Sequence, residues 1–310
     1  MIKGYHIYIQ QKPDHDYSAI DHMATLASIL FWKRNYGPIT LFCNREYLST
    51  LQEYGLDSLY DNIDTTFLTT IPYQEHLSKY WSFCKTAVAN MLVDKGVEEF
   101  VILDTDLWMK TKFPFDRDCG FIGYHPEEFD LSYLQNQYLH PETFVSKKVA
   151  DQFDWTASPI NCAILYLNNS HLVKEWYKWS CYIIESNKHK PNNIGSSDTL
   201  FIEQRLLPAL ASKLNIKVGT IQHNTYLTYV DTTKVENFGK EWSPQLGNNE
   251  WSVRCAKEIK HIWGAKRLYE DKFIRELIIK VITEQLQEVF GEEIKLRFPL
   301  LHSKISSIFN

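Results

Sequence analysis

The sequence lacks a Cys-x-x-Cys pair, which excludes a zinc ribbon and a thioredoxin-type redox site. Its six cysteines are scattered, the closest two, Cys162 and Cys181, lying 19 residues apart. Most sit in apolar strings (LFCN, SFCK, NCAI) and read as small buried hydrophobes, the usage of a reducing compartment. No run of 18 uncharged apolar residues offers a membrane span. The opening MIKGYHIYIQ has no apolar core of a signal peptide, so a cytoplasmic protein is expected. A basic surplus is missing as well: 33 Lys and Arg stand against 38 Asp and Glu, a net charge of -5, which argues against a nucleic-acid partner. Neither an internal repeat nor a low-complexity tract occurs.

What remains is ordinary globular composition, 44% hydrophobic and 23% charged over 310 residues, enough for one or two domains with a large core. Aromatic residues reach 14%, with 9 Trp and 18 Tyr. Such side chains fill cores and seams, and they also stack on the faces of sugars; composition by itself favours the core.

The first half alternates strand and helix signals. Residues 4–10 read as a strand, and 18–35 as a helix with Ile20, Met23, Ala24, Ala27, Leu30 and Phe31 at helical spacing. A strand at 39–43 follows, then a helix at 45–54 closed by Gly55, a strand at 65–70, a helix at 78–94 and the apolar strand FVILD at 100–104. This alternation predicts a mostly parallel sheet with helices on both faces, whose ligands bind at the carboxyl ends of the strands. Residues 116–147 read as a long loop. Further on, 160–168 reads as a strand, 171–186 as a helix, 199–214 as a helix kinked at Pro208, 216–221 as a strand and 271–290 as an amphipathic helix.

The segment VILDTDLW carries the sharpest chemistry. In extended chain, Asp104 and Asp106 face the same way, and two carboxylates at a strand end form a hard-oxygen site for Mn2+ or Mg2+. In this context the sequence resembles the GT-A superfamily of nucleotide-sugar glycosyltransferases, and more narrowly the retaining galactosyl- and glucosyltransferases related to glycogenin and their bacterial relatives. The resemblance is carried in order by Asp14 or Asp16 with Tyr17, Lys85, VILDTDLW, SPINCAILYLNN, SDTLFIEQRLL and KHIWGAKR, over roughly residues 4–268. Cys162-Ala163 departs from the Ser-Gly that follows Asn161 in the family pattern.

The resemblance implies a GT-A fold and metal-dependent transfer of a hexose from a nucleotide sugar, a UDP-sugar foremost, with retention of configuration. Asp104, Asp106 and His261 would hold the metal. Tyr17, Lys85, Asp104, Gly264 and Lys266 would bind the nucleotide, Gly264 by admitting backbone close to a phosphate and Lys266 by its charge. Asn161 would bind sugar hydroxyls, and Glu203 and Gln204 would act beside the sugar and acceptor, with Asp198 as a substitute. The acceptor, a saccharide, a lipid-linked sugar or a protein, is left open.

Two rivals stand beside this reading: an inactive GT-A-like binding module, and a haloacid-dehalogenase-type phosphatase, whose Asp-x-Asp usually lies near the start of the chain. Residues 1–268 are expected to form the transferase domain and 269–310 a helical extension packed on it. The tail KLRFPLLHSKISSIF reads as an ordinary packed segment, the alternative being peripheral contact with the inner face of a membrane. The turn-rich stretch 232–250, with Gly239, Pro244, Gly247, Asn248 and Asn249, is expected to close over the donor.

Overall fold

The computed structural model describes residues 2–10, 18–77, 80–126, 145–187, 200–221, 259–261 and 272–309. Strand β1 (Lys3–Tyr8) is followed by α1 (Ser18–Asn35), β2 (Ile39–Cys43), α2 (Arg45–Tyr54), β3 (Asn62–Asp64), α3 (Phe67–Thr70), α4 (Phe83–Asp94), β4 (Phe100–Leu103), β5 (Leu107–Met109) and β6 (Phe121–Gly123). Then come α5 (Lys147–Ala150), β7 (Ile164–Leu167), α6 (Ser170–Asn187), a π-helical turn (Phe201–Arg205) running into α7 (Leu206–Lys213), β8 (Val218–Thr220), β9 (Ile259–His261), α8 (Lys272–Phe290), α9 (Glu293–Arg297) and α10 (Pro299–Phe309).

Seven strands form one sheet in the order β3-β2-β1-β4-β7-β6-β8. All run the same way except β7, which pairs antiparallel with both β4 and β6. Alternate strand residues feed two cores. Val101 and Leu103 of β4 and Ile164 and Tyr166 of β7 pack with α1 and α8 on one face. Phe100, Ile102, Leu165 and Leu167 pack with α4, α6 and α7 on the other. The expected mostly parallel sheet with helices on both faces is what these residues build. A separate pair, β5 with β9, lies against α1.

Helix α1 is buried around nearly its whole circumference, Ser18, His22, Thr25 and Ser28 included, because α8 and α10 cover the side that the sheet does not. The ring of Phe31 meets Phe290, Trp108 Nε1 donates to Gln285 Oε1 (2.6 Å), and Lys304 Nζ donates to Glu53 Oε1 (2.9 Å). Among the described residues no helix is long and apolar enough to cross a membrane. In the tail, Phe298, Leu301 and Ile305 are buried while Leu296 and Leu300 are exposed.

Three sequence expectations need correction. Residues 65–70 do not form a strand: Asp64 Oδ1 accepts hydrogen bonds from Thr66 N, Thr66 Oγ1 and Phe67 N, which turns the chain into α3 directly after β3. The 116–147 loop contains β6, a three-residue strand too short to register as a period; 127–144 lie outside the described residues. The strand foreseen at 160–168 is regular only over Ile164–Leu167, because the backbone groups of 160–163 are engaged elsewhere. At Pro208 the helix is not regular throughout: the proline falls in the first turn of α7, and the turn before it is π-wound.

Candidate functional site

The site lies where β4 ends. Leu103 closes the strand, Asp104 N donates to Ala163 O (2.8 Å), and Leu107 N donates back to Asp104 O (3.3 Å). The chain therefore turns through Thr105 and Asp106 instead of staying extended, and the same-side argument for the two carboxylates does not apply. Asp104 keeps 24% of its side chain exposed, whereas Asp106 is buried. The carboxylate of Asp106 acts on His6 of β1, a buried imidazole held between Tyr60 Oη (2.8 Å) and Ser28 Oγ (3.0 Å). Burial pushes the His6 pKa down to about 3, against the opposing pull of Asp106.

Lys85, on α4, enters this turn from below. Its ammonium lies 2.7 Å from Asp104 Oδ1 and 2.5 Å from Glu203 Oε1, and donates to Cys162 O at 3.2 Å. Both Lys85 and Glu203 are about 3% exposed at the side chain. Burial lowers the Lys85 pKa, but the charges of Asp104 and Glu203 outweigh it and hold the ammonium well above its ordinary value. Three residues singled out in sequence, 118 positions apart at the extremes, thus share one cluster. It presents two negative charges to one positive charge, and its open end is Asp104.

Glu203 reaches Lys85 from an opened helical turn. In the stretch Phe201–Arg205 the helix is π-wound, and three successive carbonyls accept bonds from outside it: Ile202 O from Trp176 Nε1 (2.8 Å), Glu203 O from Cys162 Sγ (3.7 Å) and Gln204 O from Ile160 N (3.0 Å). Pro208 has no N–H, so the α-helical partner of Gln204 O is absent and that carbonyl is left for Ile160. Arg205, fully buried, anchors the turn through the carbonyls of Trp155 and Ala157 and lies over the Trp155 ring. Gln204, the next residue in the turn, is also buried.

Asn161 stands at the lip of the same segment. Its Oδ1 accepts from Ala163 N (3.0 Å), and its backbone bonds His125 O and Tyr124 N (2.8 Å each). Gly123 explains part of this closeness: a Cβ there would lie 2.1 Å from Ile160 Cγ2 and 3.1 Å from Asn161 O. The strand pair β5–β9 places His261 opposite Leu107, the residue after Asp106, so the chain positions of the expected third ligand and of the acidic pair are brought together at backbone level. Tyr17, Asp198, Gly264, Lys266 and the stretch 232–250 lie outside the described residues.

Two features escaped the sequence reading. A cavity of about 330 Å³ opens at the carboxyl ends of β1 and β2, lined by Ile9, Gln10, Asn44, Leu68, Gln74 and Leu77, with Asn44 and Gln10 tied by two mutual bonds (3.0 and 2.9 Å). The signal was positional: Asn44 follows β2 directly and Gln10 lies two residues past the end of β1. The other is Trp81, whose ring centre is 5.7 Å from Lys85 Nζ and which is 40% exposed.

No family model matches the chain, and no curated protein sequence does. Among solved structures it is similar to the galactosyltransferase LgtC in complex with donor and acceptor sugar analogues, at 13% identity and a TM-score of 0.44 over 87% of this chain and 94% of that one. It is also similar to mouse xyloside xylosyltransferase 1 (12%, TM-score 0.44, 84% and 96%) and to the bifunctional glycosyltransferase WbbM (13%, TM-score 0.47, 84% and 45%).

Proposed function

We propose that this protein is a glycosyltransferase that moves a hexose from a nucleotide sugar, a UDP-sugar foremost, to a hydroxyl acceptor. The observation that carries the reading is the buried Lys85 ammonium held between Asp104, at the carboxyl end of a central strand, and Glu203 on the π turn. Such a strand end is where sheets of this kind bind ligands. The cavity beside β1 and β2 has the size and mixed polarity to receive the nucleoside.

The donor set suits a hard divalent ion. Asp104 keeps 24% of its side chain exposed, its Oδ1 meets Lys85, and the register of β9 brings the backbone of His261 opposite Leu107, next to the acidic turn. Asp104, Asp106 and His261 are the residues that would hold Mn2+ or Mg2+. When bound, the ion would supply positive charge to the departing diphosphate.

The rest of the chemistry belongs to the chain. The Lys85 ammonium, 2.5 Å from Oε1, fixes the Glu203 carboxylate in an ion pair, so Glu203 is already engaged by a counter-charge. That supports the retaining course, in which the diphosphate itself receives the acceptor proton. Asn161 and Gln204 are the neutral groups that would hold sugar hydroxyls beside this carboxylate.

Thermal unfolding with UDP and Mn2+ tests the nucleotide reading: a bound nucleotide raises the midpoint by mass action. The shift is expected with Mn2+ and lost with chelator and in Asp106→Ala. Equal shifts with Mn2+ and with chelator would sink the metal assignment. Proton NMR of the product anomer decides the stereochemistry, and inversion combined with a dead Glu203→Gln variant would make Glu203 the base.

A further inference from the structure

We infer that the indole of Trp81 is a stacking wall for a hexopyranose at the mouth of the Lys85 cluster, an inference that builds on the sugar-transfer reading. Trp81 sits four residues before Lys85, in the turn that leads into α4. Its neighbours Tyr80, Ser82 and Phe83 are buried, whereas Trp81 is 40% exposed. A tryptophan so placed exposes a wide apolar face that a core would ordinarily cover. It is not an isolated surface ring. The Lys85 ammonium lies 5.7 Å from its centre and 2.7 Å from the Asp104 carboxylate, so the indole and the solvent-open carboxylate flank one buried cation.

The chemistry of this pair selects its ligand. The cluster holds two carboxylates against one ammonium, so it offers hydrogen-bond acceptors. A ligand fitting both walls brings hydroxyl donors along one rim and a C–H face for the indole. A hexopyranose has both. A phosphate has neither, and an aliphatic chain has only the second. The sugar is either that of the donor or that of the acceptor, and the two sources share this chemistry.

The test uses the full chain and two probe sets. Calorimetry with Mn2+ compares UDP with UDP-glucose and UDP-galactose, and saturation-transfer NMR follows methyl β-glucopyranoside and methyl β-galactopyranoside. In Trp81→Ala, UDP binding is expected within twofold of wild type while one hexopyranose arm weakens tenfold or more. Trp81→Phe is expected to recover most of that loss. If the UDP-hexose advantage over UDP collapses, the stacked ring is the donor sugar; if the methyl glycoside signal collapses, it is the acceptor. Both arms unchanged in Trp81→Ala overturns the assignment, as does a wild type that takes no hexopyranose, or an equal loss of UDP and UDP-hexose, which would reduce Trp81 to a cover over Lys85. A wild type that binds methyl glycosides but not UDP would retain the wall and discard the nucleotide reading.

Discussion

Lys85 is the residue on which the site's charge balance turns. Without it, the buried Glu203 carboxylate would lose the ammonium that lies 2.5 Å from its Oε1. Breaking a buried pair by removing one partner costs about 3–5 kcal/mol, while replacing the pair by apolar groups can be neutral. Lys85→Met is therefore expected to lower stability by about that amount in urea unfolding, and Lys85→Met with Glu203→Leu to recover most of it, Asp104 being able to hydrate. Neither variant is expected to transfer sugar. A second Lys85→Met loss of similar size in the double variant would show that Glu203 is not the burdened group. His6 gives a pH signature. Its folded pKa, about 3, lies below the ordinary 6.5, so the unfolded chain takes up the proton first as pH falls. Its contribution is whole above pH 6.5 and declines towards pH 3, at about 1.4 kcal/mol per pH unit. Between pH 6.5 and 5 the wild type should lose roughly 2 kcal/mol more than His6→Gln. Parallel pH profiles of the two proteins would contradict this.

At the scale of elements, the π turn and the irregular 160–163 segment support each other. Restoring an N–H at position 208 offers Gln204 O an intrahelical partner in place of Ile160 N. Pro208→Ala is thus expected to speed exchange of the Ile160 amide and to lower turnover by moving Glu203, with little change in global unfolding. Protection of Ile160 equal to wild type would remove the proline from this role. Gly123→Ala acts on the other side, driving a methyl into Ile160 and the Asn161 carbonyl. Overpacking of this kind costs about 1–3 kcal/mol, and here it should also raise KM for the sugar by displacing Asn161. The elements themselves were partly legible. Gly55, at φ 72°, ends α2 where its sequence position foretold, because a left-handed residue there is a local requirement. The β6 strand and the π turn were not legible, since a three-residue strand has no period and a π turn depends on donors from Trp176, Cys162 and Ile160.

Over the whole molecule, α8 and α10 complete the core that α1 begins. Ile282 and Leu286 of α8 are buried in the same cluster as Ile29 and Phe31. Ile282→Ala and Leu286→Ala are each expected to cost about 2–5 kcal/mol and to lower a single cooperative transition. Two separated transitions, with only the first shifted, would instead mark the C-terminal helices as an independent unit.

The sequence by itself determined the alternation of strands and helices, the central apolar strand running into Asp104, and the candidates Lys85, Asp104 and Glu203. Those depend on local periodicity, caps and the order of residue types, which a chain carries in linear form. Only the tertiary structure decided that the acidic pair turns instead of extending, that Asp106 is buried near His6, and that Lys85 bonds Glu203 and the Cys162 carbonyl. The reason is physical. Each outcome is set by a partner supplied from another segment: the residue before β7 offers Ala163 O to Asp104, α4 brings the ammonium, and the missing N–H of Pro208 frees a carbonyl for Ile160. No spacing along one strand or helix records a bond whose other half lies on a different element, 118 residues away for Lys85 and Glu203.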